Sequence, residues 1–534
     1  MASVFRNGRI FAPSAASSDE FVDCMIIQND RISYVGPFDE KKAPANATTI
    51  DLENRVVVPG FIDAHVHLLQ FGQSLRKVDL MACTSLEQIR ASIKEYAVSN
   101  PSAPRILCRG WIQSSTNGIA LATMLDDLDP RPIFIDSFDL HSIWCNSPAL
   151  EEMNAHNIPD LPGGTIHRDE NGRASGLLDE SAVISLAWPH LESLFSTEDK
   201  LSALDTAITA YAAAGYTGLV DMAMDEGTWE ILNLYRRDKR IPFHIGVHWL
   251  VPFSNDQRAN FRYVDRAIEL RKQYQEPEFG VVGIKLICDG VVDGCTAALL
   301  QPYTGKSDPV DPIWPENMLQ EVVQRADSTG MQCAIHAIGD RAIRQAIDVL
   351  SRVGTPGRRH RIEHLELSTS EDAKRLGQLG ITASVQPVHS DPALFKAWPT
   401  LVGPDRCKRA FAYKEFLDGG APLAIGTDAP TARHLPFPNL YNATTRRSAL
   451  EPETTDTVNS HFGVSLAQAA TAATTGAAYA RFADSWTGSL KPGLNADFVV
   501  VDMQWTPEKL LEAKPCQTWY RGTKVYDSTV DERV

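Results

Sequence analysis

Hydrophobic and polar positions change their period along this chain. In the first sixty residues, short runs of β-formers are broken by turn dipeptides. Val4–Phe11 is divided at Asn7-Gly8, Met25–Val35 at Asn29-Asp30 and Thr48–Val58 at Glu53-Asn54, which predicts hairpins. The pattern returns near the other end, where Asp497–Asp502 follows the turn KPGLN and Trp519–Tyr526 is divided at Arg521-Gly522. Two β-rich ends around a long middle predict one small β-sandwich built from both.

In the middle, short apolar runs alternate with stretches that place apolar residues three and four apart, the mark of βαβ units and a parallel sheet. Eight strands are predicted: Phe61–Leu68, Tyr216–Met222, His244–Val251, Val281–Asp289, Met331–Ile338, Arg361–Leu365, Ile381–Gln386 and Pro422–Asp428. Helices are predicted over Asp199–Ala214, Pro315–Asp327, Arg341–Val353 and Ser370–Leu379. Eight such units in sequence describe an α/β fold of the (β/α)8 TIM-barrel type. More than a hundred residues separate the first two strands, where a connection of two to six is usual. Within them Gly163–Leu178 predicts a hairpin around Asn171-Gly172. The expected division is therefore 1–58 and 487–534 for the sandwich, 59–81 for the start of the barrel, 82–198 for an inserted lid and 199–486 for the rest of the barrel.

Composition narrows the function classes. Of 534 residues, 43% are hydrophobic and 22% charged, as in a globular chain and unlike a disordered one. Lys and Arg number 51 against 67 Asp and Glu, a net charge of −16. That balance argues against nucleic acid and anionic membranes as partners and leaves a small-molecule substrate open. Nine cysteines without a CxxC pair predict free thiols in a reducing compartment. With no apolar signal segment and no run long enough to span a bilayer, the expected location is the cytoplasm. Homo-oligomerisation is left open.

Chemistry concentrates at the strand ends. In PGFIDAHVHLL, strict alternation puts Phe61, Asp63, His65 and His67 on one face, with two imidazoles directed into the barrel within reach of one divalent ion. Lys285, His336, His364 and Asp428 each fall near the C-terminal end of a later strand, where barrel enzymes keep their active sites. Singly, each has a structural reading: a hydrogen-bonded core histidine, a paired lysine, a turn-capping aspartate. Together and in this order they point to one metal centre.

The order HxH, Lys, His, His, Asp resembles the amidohydrolase superfamily in its binuclear form. PGFIDAHVHL, HSIWCNSPAL, GGTIHRDENGRASGLLDE, GIKLICDGVVDG, HAIGDRA, RIEHLE, SVQPVHSD and IGTDAP further resemble its YtcJ-like, formamide-deformylase-like branch. The resemblance implies a metal-dependent hydrolase barrel with a β-sandwich from both termini. It implies that His65, His67 and Asp428 hold one metal, that His336 and His364 hold the other, and that Lys285, carboxylated by carbon dioxide, bridges them. The nitrogen and oxygen donors favour two zinc ions, with manganese, iron and cobalt as alternatives. The implied reaction is hydrolysis of a non-peptide C–N bond, in an amide, formamide or cyclic amide, by metal-activated hydroxide with Asp428 carrying the proton.

Further candidates are placed less directly. His141 and Trp144 resemble the family's HxxW motif and either bind substrate from the insertion or build a structural loop. Trp111 either walls the pocket or packs in a core. Asp289 and His389 stand beside strand ends and either touch substrate or orient ligands, whereas His244 and His248 are expected to be core histidines. Two other readings stay open: a decarboxylation, ring opening or isomerisation on the same barrel, and a non-catalytic binding or scaffold protein that keeps the fold. No GxSxG elbow or GxGxxG turn supports a serine hydrolase or a Rossmann enzyme.

Overall fold

The computed structural model describes residues 2–530 except 16–17, 139, 160–163 and 181. Eight parallel strands form its centre: Phe61–Val66, Tyr216–Met224, His244–Leu250, Phe279–Ile287, Gln332–Ala337, Arg361–His364, Thr382–Val385 and Leu423–Ile425. Each pairs with its neighbour in sequence order, and the first and last strands are joined by a parallel bridge between Val66 and Ala429. Asp428 N donates to His65 O (2.7 Å) and His67 N to Ala429 O (3.0 Å), so the closing seam carries the metal-ligand candidates of both strands. All eight predicted strands are present.

Helices cover the barrel where the three-and-four spacing predicts them. Asp340–Val353 buries Ala342, Ile343, Ala346, Ile347, Val349 and Leu350 along one stripe. Thr197–Ala213 starts at a capping box in which Ser196 and Asp199 satisfy each other's backbone N–H. The end of the barrel opposite the ligands is plugged by small residues, with Ile62, Ala64 and Ala424 packing on Ala477, Ala478 and Ala480.

The chain ends join in one eight-stranded sheet, Phe498–Asp502 pairing antiparallel with Val56–Pro59. The sheet curls until Phe5 packs edge-on against Trp519 across two intervening strands, with ring centroids 5.2 Å apart. Two of the predicted hairpins are different objects. Ala2–Phe11 is one strand, irregular between Arg6 and Ile10, because Asn7 takes a left-handed conformation (φ 58°) without reversing the chain. Thr48–Asp51 and Val56–Pro59 both run parallel to that strand, and Glu53-Asn54, both left-handed, jogs the chain between them. The hairpins at Asn29-Asp30 and Arg521-Gly522 form as predicted.

The insertion is a unit with its own six-stranded sheet, running from Val78–Asp79 to Ala174–Glu180. The sheet starts before residue 82, and the hairpin around Asn171-Gly172 pairs Gly164–Arg168 with Ala174–Glu180; Gly163, its predicted first residue, lies outside the described residues. Two apolar clusters, one on Ile143 and Leu178 and one on Trp111 and Trp144, give it a core separate from the barrel's. No helix among the described residues is long and apolar enough to cross a membrane.

Candidate metal centre

His65 and His67 both reach the barrel mouth, although not by strict alternation. Pairing with the second strand sets Ile62 opposite Gly218, Asp63 opposite Leu219 and Val66 opposite Asp221, so the first strand holds one extra residue between Asp63 and Val66. A bulge of this kind resets which side chains face inward. Asp63 accordingly leaves the histidine face: its carboxylate accepts from Thr427 N (2.9 Å) and Thr427 Oγ1 (2.5 Å), and from the Tyr211 hydroxyl of a covering helix (3.1 Å). The expectation that Phe61, Asp63, His65 and His67 share one face is corrected on this point.

Each of the two imidazoles is held by its Nδ1. His65 Nδ1 donates to Glu363 Oε2 (2.7 Å) and His67 Nδ1 to the Met222 carbonyl (2.8 Å). Both acceptors lack a proton, so a neutral ring must carry its hydrogen on Nδ1 and present a bare Nε2. Burial, reinforced by Lys285, pushes His65 down to about 4 and keeps it neutral near pH 7. The two Nε2 atoms lie 3.5 and 3.2 Å from Asp428 Oδ1, an oxygen without a hydrogen-bond partner. Burial alone would raise the Asp428 carboxyl, but the surrounding imidazoles hold it well below the usual range. His65 Nε2, His67 Nε2 and Asp428 Oδ1 thus converge, with the Lys285 ammonium 3.3 Å from His65 Nε2 as the cation beside them. The donor set fits a divalent ion.

The second pole is built from His336 and His364, whose rings are 4.4 Å apart. His364 Nδ1 lies 3.9 Å from Asp428 Oδ2 and makes no hydrogen bond. Donor atoms of His65, His364 and Asp428 come within 4.8 Å of one another, and those of His364, Glu366 and His389 do the same. Left-handed backbone at His364 (φ 75°) and Asp428 (φ 59°) turns these side chains inward as their strands end.

Lys285 stands between the poles. It is 2% exposed, and its only polar partner among the described residues is His65 Nε2 at 3.3 Å. Burial pushes its ammonium down to about 8. Beneath it Glu363 and Arg361, both fully buried, form a charge pair, Arg361 Nε donating to Glu363 Oε1 at 2.5 Å. Burial would raise the Glu363 carboxyl; the adjacent guanidinium overrides that and keeps it well below the usual range. Arg361 also donates to Ala64 O (2.7 Å) and Ser384 Oγ (2.6 Å), tying the ligand strand to two others. The role of this pair was missed in the sequence, where two opposite charges two residues apart in an apolar strand are its one visible signal.

Other candidates fall into two groups. His141 reaches the mouth, its ring 6.3 Å from that of His336, and its Nδ1 lies 2.8 Å from Glu180 Oε2. His389 stacks on His364 and bridges toward Glu366 (3.3 Å) and Thr431 (3.1 Å). Asp289 supports the site: its carboxylate accepts from Ala298 N, Ile338 N and Gly339 N at 2.8–3.0 Å, and burial pushes it up to about 7. Trp111 and Trp144 lie in the insertion's own core at 1% and 0% exposure, and their indole N–H groups donate to Thr116 Oγ1 and Leu121 O. That is the packing alternative for Trp111 and a structural place for Trp144. His244 and His248 are fully buried below the centre, His248 on Gln332 Oε1 (2.8 Å).

Known proteins resemble this chain in fold and in sequence. A crystal structure of an uncharacterized metal-dependent hydrolase from Pyrococcus horikoshii OT3 has the same fold, with a TM-score of 0.75 at 23% identity over 98% of this chain and 100% of that one. Protein LONG AFTER FAR-RED 3 of Arabidopsis thaliana is 30% identical over 542 residues, 97% of this chain and 91% of its own. The N-substituted formamide deformylase of Arthrobacter pascens is 24% identical over 554 residues, 95% of each chain. A model of the amidohydrolase family matches residues 48–526, a span that holds the barrel, the insertion and every ligand candidate, and the chain belongs to that family.

Proposed function

We propose that the protein is a metal-dependent hydrolase of a small molecule's non-peptide C–N bond, with an amide, formamide or cyclic amide as substrate. The observation that carries this reading is the convergence of His65 Nε2, His67 Nε2 and Asp428 Oδ1 beside Lys285. His65, His67 and Asp428 would hold one divalent ion, zinc by donor type, and His336 and His364 a second. Bound there, such ions supply Lewis acidity, lowering the pKa of water and polarising a carbonyl oxygen.

Carboxylation of Lys285 is supported by its surroundings. A buried ammonium without a carboxylate partner is costly, and beside a cation it is repelled. Lowering its pKa toward 8 leaves neutral amine that would add to carbon dioxide with release of a proton, and the carbamate would offer anionic oxygens to both ligand groups. Asp428 takes the proton from the attacking water on a carboxylate oxygen and passes it to the leaving nitrogen. Glu363 and the Met222 carbonyl keep both histidines in the tautomer that leaves Nε2 free. His141 and His389 border the mouth and would contact the substrate. The nine free thiols support a reducing, cytoplasmic setting.

Metal analysis combined with a panel of N-substituted formamides, amides and cyclic amides tests the reading. Two divalent ions per chain and turnover lost on chelation are expected. Metal-free protein that hydrolyses the panel at full rate would overturn it.

A further inference from the structure

The barrel carries a second cleft at the opposite end of its strands. It has a volume of about 740 Å³ and opens between the helix Gln257–Gln273, the start of the fourth strand and the turn that follows the C-terminal alanine-rich helix. Its walls are cationic through Arg271, Lys272 and Arg481. Among the described residues none of the three forms an ion pair with a carboxylate, while the cleft's one acidic residue, Glu276, is engaged by Arg236 at 2.6 Å. Arg271 Nη1 is shielded from solvent and has no hydrogen-bond partner. Behind the cleft wall, a Cβ at Gly330 would lie 3.5 Å from it and 3.4 Å from Nη1 of Arg358, a residue that Asp327 engages at 3.2 Å. In a chain with a net charge of −16, unpaired cations gathered in one concavity mark a place for an external anion.

The remaining wall is aromatic, formed by Tyr274, Phe482 and Trp486. Phe482 has φ 64° and is 39% exposed. Left-handed backbone after a helix normally takes glycine, and a bulky side chain there is held at a cost in strain. The phenyl ring lies at the lip of the cleft, with the Arg359 guanidinium 5.1 Å from its centroid. Arg481 shapes the floor, with Nη2 on Pro277 O (3.0 Å) and Nη1 on His244.

We propose that this cleft is a binding site for a small aromatic anion, its ring against Phe482 and Trp486 and its carboxylate or phosphate on Arg271 and Lys272. Calorimetric titration of the full chain with phenyl phosphate and with benzoate tests it, before and after metals are removed by chelation. Saturable binding of at least one probe to the chelated protein is expected, and the tighter probe identifies the head group. Inorganic phosphate, without a ring, and benzyl alcohol, without a charge, should bind at least tenfold more weakly. Arg271→Met should weaken the aromatic anion tenfold or more at unchanged metal content. Phe482→Gly, which relieves the strained backbone, should weaken it as well and serves where Arg271→Met lowers the folded fraction. Binding that disappears with the metals, equal binding of benzyl alcohol, or affinity undiminished in the folded variants would each overturn the proposal.

Discussion

Glu363 accepts the His65 Nδ1 proton on one side and the Arg361 guanidinium on the other, and all three groups are buried together. Removing one member of a buried charge pair leaves the other uncompensated, at a cost of about 3–5 kcal/mol. Glu363→Gln should therefore lower stability by about that amount in urea unfolding. It should also weaken metal binding by about 10–100-fold in a competition titration, as loss of a ligand-orienting group does. Unchanged metal affinity would show that His65 is oriented without it. Asp428→Asn tests a different property. The amide keeps the size and the fold but cannot take up a proton, so turnover should fall by about 10²–10⁴-fold or more with an unchanged circular dichroism spectrum. Near-native turnover on an established substrate would assign the proton to another group.

Elements bring these residues together through their irregularities. The bulge in the first strand turns Asp63 outward while His65 and His67 face the mouth, and positive φ at His364 lets it enter the site beside Glu363, its immediate neighbour in sequence. Glycine makes room lower down: a Cβ at Gly283 would lie 2.7 Å from the His248 ring and 2.4 Å from Gln332 O. The insertion is an element of another kind, with a core of its own. Trp144→Ala should cost about 3–5 kcal/mol there, opening the insertion to limited proteolysis. Metal content should be retained, because no ligand candidate lies within it. Loss of metal together with the insertion's structure would mean that the two units fold as one.

For the whole molecule, ligand candidates from five strands converge on a site that the unfolded chain cannot assemble. An ion bound by the native state alone stabilises by mass action, by about 2.7 kcal/mol at a hundred times its dissociation constant. Chelation should lower the melting temperature, and re-addition of zinc should restore it in a concentration-dependent way. A melting temperature indifferent to chelation would show that the folded barrel does not depend on the ion. Asp428 N and His65 O are hydrogen-bonded across the closing seam at 2.7 Å, so an ion held by both residues would brace it.

The sequence by itself determined the barrel and the list of ligand candidates, and pointed to a long insertion and to β-rich ends that meet, expected as a sandwich and found as one sheet. Each is written in a local signal: a period of two or of three to four, a turn dipeptide, or a histidine or aspartate near a strand end. Tertiary structure alone decided the rest. Asn7-Gly8 and Glu53-Asn54 carry turn chemistry, yet parallel partners across the sheet kept the chain from reversing there. Alternation could not place Asp63, because a bulge exists only relative to the strand it pairs with. Trp111 read equally as pocket wall or core, and Trp144 as substrate contact or structural loop, until the insertion closed around them. Glu363 and Arg361 found their role only when His65, 298 residues from Glu363 in sequence, came within 2.7 Å of its carboxylate. Periodicity records which face a residue prefers within its own element; what that face meets is settled by distant chain, where pairing, burial and charge are satisfied together.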